Sequence, residues 1–182
     1  EYKSMFRDPV GVLKYHFLVP GSEDYPDVLW DWDSWLTNVG IRQILMEKGS
    51  ENEINAALKY EKGCVLNFLE YGGTDGWLPF QILPHHGSRN ERLNNLKETY
   101  GSVHNSNMHK PCLAQHAAFI IRNSGGNAEW LREKFYYLQS FVDAYHHHYR
   151  DQGTGLYILA NDKGTGTDND PTYYYRPYRS TA

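Results

Sequence analysis

Helix punctuation constrains this chain most tightly. Serine followed three residues later by glutamate occurs at Ser50 with Glu53 and again at Ser88 with Glu91, a pairing that satisfies two orphan N–H groups at a helix start. Residues 34–48 place Trp35, Leu36, Val39 and Ile44 at helical spacing, and Gly49 stops the run. The Ser50 box opens a second helix carrying Ile54, Leu58, Val65 and Leu69 before Gly72-Gly73. Pro111 suits the first turn of a third, with Leu113, Ala117, Phe119 and Ile120 making it nearly apolar until Gly125-Gly126. Asn127 can cap a fourth, of roughly six turns, with Leu131, Leu138, Phe141, Val142 and Tyr145 on one face. The pattern predicts an all-α chain in which enclosed and half-exposed helices alternate, as in a double ring of helices or a simple bundle.

Two stretches fall outside this pattern. Residues 73–110 hold only the short helical piece opened by Ser88, together with Trp77, Gln81, His85, His86, Asn105, Asn107 and His109. Long connections inside compact domains tend to be functional or disordered. Residues 151–182, rich in Gly, Thr, Asp, Asn and Tyr, read as loop.

With 182 residues the chain can enclose one core. Its 15 Tyr, 7 Phe and 5 Trp imply bulky packing with some rings left for a ligand groove. A net charge of −4 with scattered basic residues argues against nucleic acid as a partner. No apolar run reaches the length of a membrane span, so no membrane partner is expected. Cys64 and Cys112 form neither a disulfide framework nor a metal motif and are expected as buried thiols.

Chemistry concentrates in two segments. The first is Leu29-Trp30-Asp31-Trp32-Asp33-Ser34-Trp35, ahead of the first helix. Asp33 there reads as an ordinary N-cap, but three indoles interleaved with two carboxylates also suit a sugar, whose C–H faces stack on rings while acids accept its hydroxyl protons. The second is Asn161-Asp162-Lys163-Gly164-Thr165-Gly166-Thr167-Asp168-Asn169-Asp170-Pro171. It reads as plain turn chemistry or as a calcium loop, although its spacing does not follow the EF-hand.

Trp32-Asp33-Ser34-Trp35 resembles the Trp-Asp-Ser-aromatic signature of trehalase-like and mannosylglycerate-hydrolase-like glycosidases. Gly166-Thr167-Asp168-Asn169-Asp170-Pro171 is similar to their Gly-x-Asp-Asn-Ser-Pro segment. Gly76-Trp77-Leu78-Pro79, His109-Lys110-Pro111 and Gly155-Leu156-Tyr157 resemble intermediate segments in the right order. The sequence departs from the pattern at Asp170, where Ser is usual, and at Cys112, where a second Pro is usual. A carboxylate beside the acid would raise its pKa, which suits proton donation.

The resemblance implies part of an (α/α)6 toroid of the six-hairpin glycosidase type. It implies an inverting hydrolase of an α-linked gluco- or manno-configured glycoside, acting on an oligosaccharide or small glycoside without a cofactor. Asp168 would be the general acid. Trp32 and Asp33 would hold the sugar, with Trp77, His109, Lys110 and Asn169 as further substrate-binding residues. Inversion needs a second carboxyl group roughly 6.5–9.5 Å from the first, with room for water between them. The resemblance places that base C-terminal to Ala182, so residues 1–182 are expected to be the N-terminal portion of one catalytic domain, partnered by its C-terminal half.

Glu61, Glu70 and Glu98 are the candidates within the chain for a substitute base, but all three are expected at solvated helix surfaces. The histidines (His85-His86, His104, His109, His116 and His146-His147-His148) lack the spacing of four that helical zinc pairs use, so no metal site is expected. Tyr173-Tyr174-Tyr175 with Arg176 read equally as cleft lining or as outer packing. A noncatalytic carbohydrate-binding or calcium-stabilised helical module is the alternative from another class. A lyase or epimerase on a similar toroid, using Tyr173 or His109 as base, is a third.

Overall fold

The computed structural model describes residues 2–21 and 26–160. Among these residues the fold is all-α, with five α-helices and only two-residue strands: α1 (Asp31–Lys48), α2 (Glu51–Leu69), α3 (Arg89–Tyr100), α4 (Leu113–Asn123) and α5 (Phe135–His148). Both capping boxes form. Ser50 and Ser88 each accept the N–H of the glutamate three residues on, whose carboxylate accepts the cap N–H in return. Gly101, in the left-handed region, closes α3 by donating to Lys97 O.

Helix α2 is the hub, packing against α1 and α4 on its flanks. Its buried side carries Ala57, Cys64, Val65, Phe68 and Leu69. An N-terminal arm lies across it, made of β1 (Phe6–Arg7) and β2 (Phe17–Leu18) in an antiparallel pair. The arm comes so close that a Cβ on Gly63 would stand 1.8 Å from His16 O, so glycine is required there. The second pair, β3 (Leu29–Trp30) with β4 (Gln81–Ile82), ties the start of α1 to the long 73–110 connection.

Helix α1 turns the opposite way from its apolar periodicity. Leu36 is 54% exposed, and Val39 and Ile44 are exposed as well. The buried side instead carries Asp31, Ser34, Asn38, Ile41, Arg42 and Leu45. Each of its polar side chains makes at least one bond to a neighbouring element or to its own first turn, which apolar counting cannot register. Asn38 Nδ2 and Arg42 Nη1 are nonetheless buried without a partner. Ser34 Oγ donates to Asp31 O, and Asn38 Oδ1 accepts from His116 Nε2 at 2.9 Å. The Arg42 guanidinium forks onto both carboxylate oxygens of Glu61, its Nε 2.9 Å from Oε1.

Glu61 is thus fully buried and paired rather than solvated. Glu70 also departs from the surface reading, because it sits half-buried between Lys14 and Lys134. The two lysines hold its carboxyl below its ordinary pKa, against the opposing effect of burial.

The later helices are shorter and less enclosed than their periodicity suggests. Helix α4 begins at Leu113 and buries only Leu113, His116, Ala117 and Ile120, with Pro111 just ahead of it. The expected six-turn fourth helix is a 3-10 stretch, Glu129–Lys134, that passes into α5. Asn127 is not its N-cap, a position held by Ala128 with no side-chain cap bond, but stands one residue ahead and accepts the Glu129 N–H at 3.0 Å. On α5, Leu138, Phe141 and Tyr145 face inward while Val142 faces out. Cys64 and Cys112 are buried free thiols, both pushed up to about 12 chiefly by burial.

Removing one member of a buried ion pair leaves an uncompensated charge, at a cost of about 3–5 kcal/mol, whereas replacing both by apolar groups is often neutral. Urea denaturation should therefore show Arg42→Ala and Glu61→Ala each losing about that much. The double variant Arg42→Met/Glu61→Leu should stay near wild type. A single-variant loss below about 1 kcal/mol would contradict the pairing, since that is the scale of an ordinary substitution.

Candidate active site

The site is assembled where α1 leaves the β3–β4 ribbon. The Asp31 N–H donates to Phe80 O at 3.0 Å, fixing the first helical residue to the 73–110 connection. The Asp31 side chain is buried and accepts three ways. Its Oδ1 takes the Trp32 N–H at 2.7 Å, and its Oδ2 takes the Lys110 N–H at 2.9 Å. The Lys110 ammonium stands 3.3 Å from Oδ1. The carboxylate thus sits at the positive end of the helix, bonded to two amides and an ammonium.

Lys110 Nζ also lies 5.0 Å from the centroid of the Trp32 ring, within cation–π range. Residues 32 and 110, 78 positions apart, therefore share one surface. Asp33 lies in the first turn of α1, partly exposed, and its charge is felt by the Cys112 thiol behind it. It does not serve as the N-cap, a position held by Trp30.

His109 anchors the segment from below. Its N–H donates to Leu78 O at 2.9 Å, its Nδ1 donates to Lys110 O at 2.6 Å, and its own carbonyl accepts the Tyr145 hydroxyl at 2.7 Å. Phe68 and Phe141 meet the imidazole edge-on, at 4.4 and 5.6 Å. The ring is 1% exposed and its Nε2 has no hydrogen-bond partner. Burial is the main cause that lowers its pKa, so it is a neutral strut under Lys110.

Trp77 is positioned by different means. Gly76 adopts φ +68° and lies against α5, where a Cβ would stand 2.1 Å from Ser140 O. The Trp77 N–H donates to Asp75 Oδ1 at 3.0 Å, and Asp75 pairs with Arg89. The ring, 2% exposed, walls a separate cleft with Arg92 rather than the Trp32–Lys110 surface. The structure thus brings Trp32, Asp33 and Lys110 together, with His109 beneath them, and sets Trp77 apart. Asp168 and Asn169 lie outside the described residues, as do Asp170, Tyr173, Tyr174, Tyr175 and Arg176.

Asp31 is the residue that sequence reasoning passed over. It stands in the same Trp-Asp-Trp-Asp string, but only the β3–β4 pairing shows that the helix begins there and that its carboxylate turns inward. Among the described residues no group of three or more His, Cys, Asp or Glu is placed to hold a metal ion. No helix among them is long and apolar enough to cross a membrane.

The class the coordinates define is an all-α domain that sets a partly exposed indole, a carboxylate and a lysine at one helix start. The comparisons give that class a family. Residues 25–180 match the model of the mannosylglycerate hydrolase MGH1-like glycoside hydrolase domain, and the chain belongs to that family. Comparison with curated proteins and with solved structures gave no match.

His116, fully buried against Asn38, is depressed to about 3 from an ordinary 6.5, first by burial and then by His109. The unfolded chain takes up that proton first, so this contribution to stability is complete above pH 6.5 and is lost as pH falls toward 3. Urea midpoints collected across that window should fall steeply for wild type and more gently for His116→Gln. Parallel profiles would contradict a neutral buried His116.

Proposed function

We propose that this domain hydrolyses an α-linked gluco- or manno-configured glycoside, an oligosaccharide or a small one, with inversion at the anomeric carbon. Asp168 is the general acid and protonates the bridging oxygen as the bond breaks. Trp32 stacks on the sugar at the cleavage point, Asp33 accepts its hydroxyl protons, and Lys110 and Asn169 donate to its oxygens. His109 supports Lys110 from beneath, whereas Trp77, first expected in this pocket, lines a separate cleft.

The observation that carries this reading is the family match over residues 25–180, which takes in both Trp32-Asp33 and Asp168 in one glycoside hydrolase domain. The Asp31–Lys110 clamp adds to it, because it brings two of the segments that resemble the family's site onto one surface. The toroid closes when further helices cover the exposed apolar side of α1.

The partner base activates the water that attacks from the opposite face of the sugar. Two of the three glutamates first considered for that role are engaged elsewhere: Glu61 by Arg42, and Glu70 by Lys14 and Lys134. We assign the base to a glutamate C-terminal to Ala182 in the full-length parent, as the family resemblance implies.

General-acid catalysis is worth about 10²–10⁴-fold. In the full-length parent, Asp168→Ala should lose activity in that range on a panel of α-glucosides, α-mannosides and trehalose, with polarimetry showing the inverted anomer first. Equal rates for wild type and variant would remove Asp168 from the acid's role. Release of the retained anomer would remove the inverting mechanism.

A further inference from the structure

A second cleft, of about 310 Å³, opens beside α3 and shares no lining residue with the Trp32–Lys110 surface. That volume falls at the lower end of the range for small-ligand sites. One side of α3 supplies Arg92, Asn95 and Thr99, spaced three and four apart so that they share a face. Trp77 and Phe80 form the opposite wall, and Tyr100 stands at the end of the helix. None of the lining residues is acidic.

The cation in this cleft is unusual in its company. Arg92 is half-buried, with its guanidinium carbon 5.4 Å from the Tyr71 ring and 5.5 Å from the Trp77 ring. Its Nη1 donates to Gln81 O at 3.2 Å and meets His86 Nδ1 at 2.7 Å. His86 is depressed to about 4, mainly by burial and then by Arg92, so its imidazole is a neutral acceptor at pH 7. The neighbouring glutamate of α3, Glu91, is committed to its capping box with Ser88. No carboxylate among the described residues pairs with Arg92, although burial disfavours its charge.

A second group in the same wall is also unmatched. The Trp77 indole N–H is buried without an acceptor, and its ring lines the cleft. Half-buried cations are ordinarily paired, and a planar guanidinium fork held between rings is shaped for a carboxylate.

We propose that this cleft binds the carboxylate of an acidic sugar, with Arg92 holding the charged end, Asn95 and Thr99 reaching its hydroxyls, and the Trp77–Phe80–Tyr100 rings facing the sugar ring. The site does not depend on the proposed hydrolysis, and its test reads binding rather than turnover.

The intact ¹⁵N-labelled chain is titrated at pH 7 with glucuronate, glucose and acetate, following the Trp77 indole N–H and Arg92 Nε–H resonances. Glucuronate should shift both in a saturable way, glucose should shift neither, and acetate should bind more weakly than glucuronate. Asn95→Asp places a like charge in the cleft at an exposed position and should weaken glucuronate binding by about tenfold or more. Arg92→Gln should abolish the Trp77 response, and if that variant fails to fold, Asn95→Asp decides. Glucuronate binding no tighter than glucose or acetate, or unaffected by Asn95→Asp, overturns the proposal.

Discussion

The structure depends on a polar spine down the buried side of α1. Asp31, Ser34, Asn38 and Arg42 recur at helical spacing, and they reach the connection before α4, the helix's own first turn, α4 and α2 in succession. Charges taken out of water are expensive and are repaid only by close, well-formed partners. Rotating α1 to bury Leu36 and Val39 instead would separate Asp31 from Lys110 and Arg42 from Glu61 at once. Such a rotation would leave Glu61 buried without its cation, at a cost of about 3–5 kcal/mol, set against roughly 1.5–3 kcal/mol for each aliphatic side chain hidden. The spine therefore sets which way the helix faces, at the expense of leaving apolar side chains in view.

The site inherits its geometry from that choice. With Asp31 turned in, Trp32 and Asp33 are carried to the partly exposed side, next to Lys110. The other half of the surface is held by backbone contacts at His109 and by a tight aromatic surround of Phe68, Phe141 and Tyr145. Lys110 is consequently fixed at its main chain and at its ammonium. Such preorganisation is what a binding surface needs if its charged groups are not to spend affinity on being ordered.

The all-α class, both capping boxes and the buried thiols were legible in the sequence, because each follows from local chemistry. The facing of α1 was not. Its long-range partners lie 19 residues away for Arg42 with Glu61 and 78–79 for Asn38 with His116 and Asp31 with Lys110, and an apolar count scores every one of those side chains as outward. The two-residue strands also escaped, since Leu29-Trp30 and Gln81-Ile82 are too short to show a period. Trp32, Asp33 and Lys110 were singled out through motifs, while Asp31 needed the helix start to be known. His109 was expected beside the sugar and lies one layer below that surface, because a histidine in an aromatic core looks no different in sequence from one in a pocket. Asp168 and Asn169 rest on motif and family match, outside the described residues.

The central claim is that Asp31 and Lys110 act as one clamp at the head of the spine. A double-mutant cycle with Asp31→Asn and Lys110→Met, read as urea unfolding free energy, tests it most directly. The account predicts a coupling energy of about 1.5–3 kcal/mol, the upper part of the range for residues in direct contact. Additive losses, with coupling within about 0.5 kcal/mol of zero, would mean that the two residues act independently and that something else sets the facing of α1.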